Sequence, residues 1–147
     1  MTCLENYMLD GANWQARAVM CILQGNSFRI ANEAKDILKD KEVALTLQRY
    51  HSSREDGYVL TLSVDFREVR SWAFFEHSVS DRLMVFRMQS SVPTFENVYP
   101  NGKDRYSWDA AFSNGEVEKC AEWILSDIIR ECRLLSLNHM EMSEDEE

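Results

Sequence analysis

The sequence predicts an α+β fold: an antiparallel sheet of four to five strands, flanked by an N-terminal helical region and a long C-terminal helix. Two observations carry this prediction. Residues 58–89 hold the longest near-alternating apolar run in the chain, the pattern of strands that bury one face. The two flanks instead repeat apolar residues at helical spacing, so they supply amphipathic helices that can cover the apolar face of the sheet.

The N-terminal helical region is predicted at residues 2–24. Thr2 to Glu5 has the Thr-x-x-Glu form of a capping box. Gly11 can divide the region into two pieces, with Asn13 capping the second. Gly25-Asn26 is a plausible end of the helix, and a shorter helix is predicted at 31–39.

The sheet is predicted to begin at residues 43–48, where apolar and polar residues alternate. The polar stretch 51–57 ends in glycine and predicts a hairpin loop. The next strand is predicted to place a row of apolar side chains on one face, namely Tyr58, Leu60, Leu62, Val64 and Phe66.

Arg67-Glu68 is predicted either to form a tight turn or to interrupt a bent strand that resumes at 69–75. Ser78 to Arg82 predicts a further turn, and 83–88 is apolar on both faces apart from Arg87, as in a central strand. An outward sheet face is predicted to carry Thr61, Ser63, Trp72 and Phe74. Two large rings there need a cover, either a helix of this chain or another molecule.

Residues 92–112 are predicted to be mostly irregular, because Pro93, Pro100 and Asn101-Gly102 interrupt the pattern. One edge strand is predicted at 105–112. The final helix begins after a second capping box, Ser113 to Glu116, and carries an unbroken apolar stripe. We therefore expect one domain over residues 1–137, followed by an acidic, disordered tail at 138–147.

The formal net charge is −9, from 25 acidic and 16 basic residues. Five of the acidic residues lie in the last seven, so the rest of the chain has 20 acidic and 16 basic residues, a net charge of −4. This charge argues against direct binding to nucleic acid or to an anionic membrane, which would require a basic face. No run is long enough and apolar enough for a membrane helix, and no secretory signal is visible.

The four cysteines, Cys3, Cys21, Cys120 and Cys132, form no Cys-x-x-Cys pair. In predicted helices, a reduced cysteine behaves as a small apolar residue. We therefore expect reduced thiols and a cytoplasmic location.

No nucleotide-binding, metalloprotease or serine-hydrolase motif is present, so neither a cofactor nor a metal is predicted, and the chain is not expected to be an enzyme. One enzymatic alternative remains open: His51 and His77, with Asp65 and Glu76 nearby, could supply the general acid and base of a small hydrolase or nuclease.

The irregular segment contains aromatic residues interleaved with charged ones, a composition typical of binding hot spots on loops. It predicts a partner-binding site formed by Phe95, Glu96, Tyr99, Asp104, Arg105, Tyr106 and Trp108. The function this favours is a non-enzymatic protein-binding domain that inhibits or masks a protein by occlusion, as immunity, inhibitor or anti-defence proteins do. An acidic body suits a partner with a basic surface.

The alternative is a secretion-chaperone-like adaptor. In size, acidity and helix–sheet–helix order the chain is similar to the small dimeric chaperones of bacterial secretion systems, but no motif matches theirs. That resemblance implies a dimer with a hydrophobic groove, whereas an occluding inhibitor can be monomeric. Both a monomer and a homodimer therefore remain open.

Overall fold

The computed structural model describes residues 14–80, 83–91, 107–112 and 116–145, with side chains at 15–77, 85–91 and 116–137. Two helices enclose five consecutive strands in the order of the chain. The elements are α1 (Trp14–Ile37), β1 (Val43–His51), β2 (Glu55–Val64), β3 (Arg67–Ser80), β4 (Leu83–Ser91), β5 (Ser107–Phe112) and α2 (Val117–Asp145). The predicted α+β architecture is confirmed.

The strands form an antiparallel meander in which each strand pairs with its neighbours in the sequence, in the order β1-β2-β3-β4-β5. Leu60 on β2 lies opposite Leu47 on β1 and Trp72 on β3, which sets which side chains share a face. A β-bulge shifts the register of β2 and β3 after Leu62.

The core lies between one face of this sheet and the two helices. The large buried side chains of the sheet are on that face: Leu60, Leu62, Trp72, Phe74, Phe86 and Met88. Trp72 and Phe74 are therefore covered by helices of this chain. Their predicted grouping with Thr61 and Ser63 on one face is wrong, because Trp72 lies opposite Leu60 whereas Thr61 lies opposite Ser71.

Helix α1 runs without a break past Gly25-Asn26, so the predicted end of the helix there is wrong. Buried Leu23 and Ile30 lie on either side of the pair, and the same apolar stripe continues through both. The side chain of Asn26 bonds back to the Ile22 carbonyl across 2.8 Å and does not cap a new helix. Tertiary burial of the stripe therefore outweighs the local stop signal. The capping predictions at Thr2 to Glu5 and at Asn13 lie outside the described residues.

A carboxylate from the sheet caps α1. Glu76 on β3 is 2% exposed, and its Oε1 accepts the backbone N–H groups of Gln15 and Ala16 at 2.7 and 3.1 Å. The first N–H groups of a helix have no partner within the helix. A negative charge at that end is also attracted to the positive end of the helix dipole. The start of α1 is thus fixed on β3 by a residue some 60 positions away in the chain.

A buried polar cluster joins the sheet to α2. Arg70 on β3 is 2% exposed and bonds Glu131 Oε2 at 3.0 Å, Asp127 Oδ2 at 3.2 Å and Ser90 Oγ at 2.8 Å. Trp72 donates its indole N–H to the same Asp127 oxygen. Two buried carboxylates thus meet one buried guanidinium, and the exposed Arg130 bonds the second oxygen of Asp127. Charges of both signs are therefore paired at this interface.

The β1–β2 connection is shorter than predicted, because β1 extends to His51 and β2 begins at Glu55. Gly57 lies within β2, opposite Tyr50 and Phe75, instead of ending the loop. A Cβ at this position would collide with the Phe74 carbonyl oxygen and with Phe75. The glycine therefore allows β2 and β3 to approach closely.

The described part of the chain contains no helix long and apolar enough to cross a membrane. Helix α2 continues to Asp145, so it enters the segment 138–147 that was predicted to be a disordered tail. The division into one domain and a tail stays a prediction. The capping box predicted at Ser113 to Glu116 lies largely outside the described residues.

Candidate partner-binding site

The predicted partner-binding residues fall almost entirely outside the described part of the chain: Phe95, Glu96, Tyr99, Asp104, Arg105 and Tyr106. Trp108 is in β5, with its backbone opposite Ser90, but its side chain is not described. This site stays a prediction.

The residues of the enzymatic alternative are not brought into one cleft. Asp65 lies in the turn after β2, whereas His51, Glu76 and His77 lie near the opposite end of the sheet. Glu76 faces the helices and caps α1, while His77, next in the same strand, faces the other side of the sheet. His51 is exposed, with its Nδ1 3.6 Å from Asp56 Oδ1. Among the described residues no cluster of histidine, cysteine, aspartate or glutamate could hold a metal ion.

The feature that stands out is the turn between β2 and β3. Val64 pairs with Arg67, so Asp65 and Phe66 alone form a two-residue turn. Both have positive φ, 51° at Asp65 and 68° at Phe66, as in a type I′ hairpin turn. Asparagine and glycine are the usual residues there, because a Cβ clashes in the left-handed region. Phenylalanine in this conformation costs about 1–2 kcal/mol relative to the right-handed one.

The side chain of Phe66 projects into solvent and is 90% exposed. The prediction that it continues the buried row of Tyr58, Leu60 and Leu62 is therefore wrong. The chain reverses at Asp65 and Phe66 and not at Arg67-Glu68, so Phe66 leaves the pleated face before the row reaches it.

Asp65 ties the turn to the segment between α1 and β1 through its backbone and its side chain. Asp65 donates its backbone N–H to the Glu42 carbonyl at 2.8 Å, and its Oδ1 accepts the N–H of Glu42 at 3.0 Å. Its Oδ2 lies 3.3 Å from Lys41 Nζ. These contacts fix Asp65 in the left-handed conformation, so Phe66 is presented from a pre-organised backbone.

The surface around Phe66 carries charges of both signs. The charged residues of this rim are Asp65, its two contacts Lys41 and Glu42, and the first two residues of β3, Arg67 and Glu68. With three acidic and two basic residues this rim is nearly neutral. The mixture resembles the polar rim of a protein interface more than a surface aimed at a strongly basic partner.

A second polar cluster lies at the other end of the sheet, where β1 meets β2. Arg49 forms an ion pair with Asp56 at 2.6 Å and bonds the hydroxyl of Tyr58 at 3.1 Å, with its guanidinium 5.2 Å from the centre of the Tyr58 ring. Tyr50 donates its hydroxyl to Glu55 at 2.9 Å, and this bond, with the carboxylate's charge, raises the pKa of Tyr50. The polar side chains of this cluster contact one another, and no turn in it projects an apolar ring as the Asp65-Phe66 turn does.

Among the cysteines that the structure describes, Cys21 departs from the prediction. It is disulfide-bonded, so the expectation that all four thiols are reduced is wrong. Cys120 and Cys132 are free and buried in α2. Burial raises the pKa of each thiol to about 12, and at Cys132 the charge of Glu131 adds to this effect. Neither has the lowered pKa of a catalytic nucleophile.

Sequence reasoning missed Phe66 because an aromatic residue after Asp65 lacks the glycine that normally marks a type I′ turn. The only available signal was the polar triplet formed by Asp65, Arg67 and Glu68 around it. Comparisons with family models, curated proteins and solved structures find no match for this chain. The site therefore has to be interpreted from its own geometry.

Proposed function

We propose that this chain is a non-enzymatic protein-binding domain that inhibits or masks a protein partner by occlusion, with Phe66 as an anchor of the contact. The observation that carries the proposal is a 90% exposed phenylalanine at φ 68°. Scattered exposed apolar residues are ordinary on protein surfaces. Neither the exposure of Phe66 nor its positive φ stabilises the fold of its own chain. Binding to a partner would account for both.

The physical basis is pre-organisation. Asp65 fixes the turn before any partner arrives, so ordering Phe66 costs little at association. A single ring that enters an apolar pocket of the partner is typical of an interface hot spot. The charged residues of the rim would fix the orientation of the two proteins. Occlusion is consistent with a projecting turn, because such a turn can fill a pocket of the partner without a catalytic step.

The proposal is tested by affinity capture from the source cell with three proteins: the natural chain, Phe66→Ser and Phe28→Ser. Phe28 on α1 is a matched control, since it is 82% exposed and of the same residue type. We expect a stoichiometric partner with the natural chain and with Phe28→Ser, and a loss of at least tenfold in affinity with Phe66→Ser. Recovery of the partner by Phe66→Ser, or of no stoichiometric partner at all, contradicts the proposal.

The predicted segment containing Tyr99, Tyr106 and Trp108 is proposed as a second part of the contact. Replacing these three residues together by serine distinguishes the two surfaces, because a Phe66-only contact is left unchanged. A partner with a basic surface remains part of the proposal, supported by the net charge of −9 and not by the nearly neutral rim.

The adaptor alternative has one favourable observation. A cavity of about 70 Å³ is lined by apolar residues of both helices and of β1 and β2, including Leu23, Ile30, Leu45, Leu47 and Leu60. An adaptor holding an apolar client segment there is distinguished from the occluding domain by Leu47→Gln, which weakens client binding but leaves a Phe66-dependent contact intact.

A cytoplasmic location is proposed on the ground that Cys120 and Cys132 are free thiols. The disulfide at Cys21 is the opposing observation, because such bonds persist in oxidising compartments. Alkylation of the protein inside intact cells, before lysis, decides between them: labelling of Cys21 supports the cytoplasm, and its protection until a reductant is added contradicts it.

A further inference from the structure

Strand β1 is an edge of the sheet: of the strands that the structure describes, it pairs with β2 alone. It has nine residues and pairs with β2 over its whole length without a register shift. Proteins usually protect such edges with proline, lysine, bulges or inward charges. The stretch Val43 to Gln48 has none of these.

The helix-facing residues of β1 are also incompletely covered. Leu45 and Leu47 are only half-buried, whereas Leu60 and Trp72, in line with Leu47 on the next two strands, are buried. Both leucines line the cavity described above, together with Ser27, which is exposed on α1. The apolar side of the edge therefore reaches solvent beside α1.

We infer that β1 pairs antiparallel with β1 of a second copy of this chain, about a two-fold axis at Thr46, so that one sheet continues through a homodimer. In this register Leu45 lies opposite Leu47 of the second copy on the helix side, and the reciprocal pair repeats the contact. Thr46 lies opposite Thr46 of the second copy on the other side. A two-fold contact must be self-complementary in this way.

The registers on either side are less favourable. An axis at Leu45 pairs only residues 43–47 of β1, whereas the axis at Thr46 pairs residues 43–49. An axis at Leu47 places Leu45 opposite Arg49. In a continuous sheet, opposite residues lie on the same face, so the two-fold axis has to pass through a residue and not between two residues. Leu45 and Leu47 are therefore the nearest alternative positions of the axis.

Charge also favours a second copy as the occupant. Two copies repel each other through their net negative charge, which is −9 for the whole chain and −4 without the last seven residues. Strand β1 carries no acidic residue, and in the register at Thr46 its Arg49 lies opposite Val43. The edge is therefore a place where two copies meet without opposed carboxylates, and pairing covers Leu45 and Leu47 of both.

The test is the mass of the full-length protein in solution across the micromolar range, by light scattering or sedimentation. We expect a dimer for the natural chain and for Thr46→Ser. Thr46→Lys sets two ammonium groups opposite each other at the axis, and we expect it to weaken the dimer at least tenfold. Thr46 is exposed, so this change leaves the fold of each copy intact.

Cross-linking fixes the register. Thr46→Cys is expected to form an intermolecular disulfide on mild oxidation, because directly opposite Cβ atoms lie about 4.5–5.5 Å apart. Thr61→Cys is the matched control, since Thr61 faces Thr46 from the interior strand β2. Gln48→Cys checks the axis, because each Gln48 lies opposite Ala44 and the two cysteines are too far apart to react.

A monomer at all concentrations overturns the inference, as does a dimer unchanged by Thr46→Lys. Cross-linking by Thr61→Cys as efficient as by Thr46→Cys also overturns it, and cross-linking through Gln48→Cys overturns the register. If β1 instead takes a strand of a different protein, the natural chain alone is monomeric. We expect Phe66→Ser to leave the mass of the dimer in solution unchanged, because Phe66 is not in β1. Failure of this inference is therefore distinguishable from failure of the proposed function.

Discussion

The indole N–H of Trp72 donates to Asp127 Oδ2 across 2.8 Å, and the same oxygen lies 3.2 Å from the guanidinium of Arg70. One carboxylate of α2 therefore satisfies two groups that β3 directs away from the sheet. Because all three side chains are buried, the position of α2 is specified by polar contacts as well as by apolar packing.

Replacing Arg70 by methionine is expected to destabilise the protein by about 3–5 kcal/mol, because Asp127 and Glu131 then remain buried without their shared cation. Arg130→Met is the matched control: Arg130 bonds the same Asp127 from a side chain that is 59% exposed, and its loss should cost about 0–1 kcal/mol. Urea denaturation measures both. Equal losses would show that burial of the guanidinium is unimportant.

Replacing Glu76 by alanine is expected to cost about 1–2 kcal/mol, the usual effect of losing a helix cap. The loss should be local: hydrogen exchange at the amides of Gln15 and Ala16 should accelerate more than exchange in the middle of α1. Glu68→Ala, at an exposed position of the same strand, serves as the control. Unchanged exchange at both amides would contradict the capping role.

Replacing Phe66 by glycine is expected to stabilise the protein by about 1 kcal/mol, since glycine adopts positive φ without strain. Phe66→Ala keeps the Cβ and should give no such gain. Thermal unfolding compares the three proteins. A gain in stability combined with a loss of partner binding would identify Phe66 as a residue retained for recognition at the expense of folding.

Gly57 and Gly25 form a matched pair with opposite expectations. Gly57→Ala introduces a Cβ against the Phe74 carbonyl and should cost about 1–3 kcal/mol. Gly25→Ala lies in α1 with open space around its Cβ and should stabilise by about 0.5–1 kcal/mol. Denaturation midpoints of the two variants test both signs at once.

Cys120 and Cys132 should resist alkylation in the folded protein at mildly alkaline pH, because their pKa values are raised from 9.0 to about 12 and both are buried. Above pH 9 the unfolded thiols ionise while the folded ones do not, so ionisation favours unfolding. Their contribution to stability is thus complete below pH 9 and is lost as the pH rises through about 12. Mass spectrometry after alkylation with and without denaturant checks the first statement, and urea denaturation at increasing pH checks the second.

The sequence predicted the architecture because its strongest periodic signals follow burial directly. The alternation of apolar and polar residues in β2 predicts one buried face, and so does the apolar stripe of α2. Both faces are buried in the structure. Gly25-Asn26 misled because a local stop signal is weak against the burial of Leu23 and Ile30 on either side. Arg70 had no signal at all, since a charged residue within a strand is ordinarily assigned to the exposed face.

The candidate site was less predictable for a related reason. A reversal at Asp65-Phe66 depends on the register of three strands and on the contacts of Asp65 with Glu42, which are distant in sequence. Composition instead directs attention to aromatic residues in irregular segments, and those residues lie outside the described part of the chain.

The meander has a consequence for how the chain folds. Every strand pairing joins neighbours in the sequence, so the five-stranded sheet can assemble through successive hairpins with short loops to close. The contact between α1 and α2 joins the beginning of the described chain to its end. We therefore expect the helices to dock after the rate-limiting step, so that changes at the α1–α2 interface affect the unfolding rate more than the folding rate.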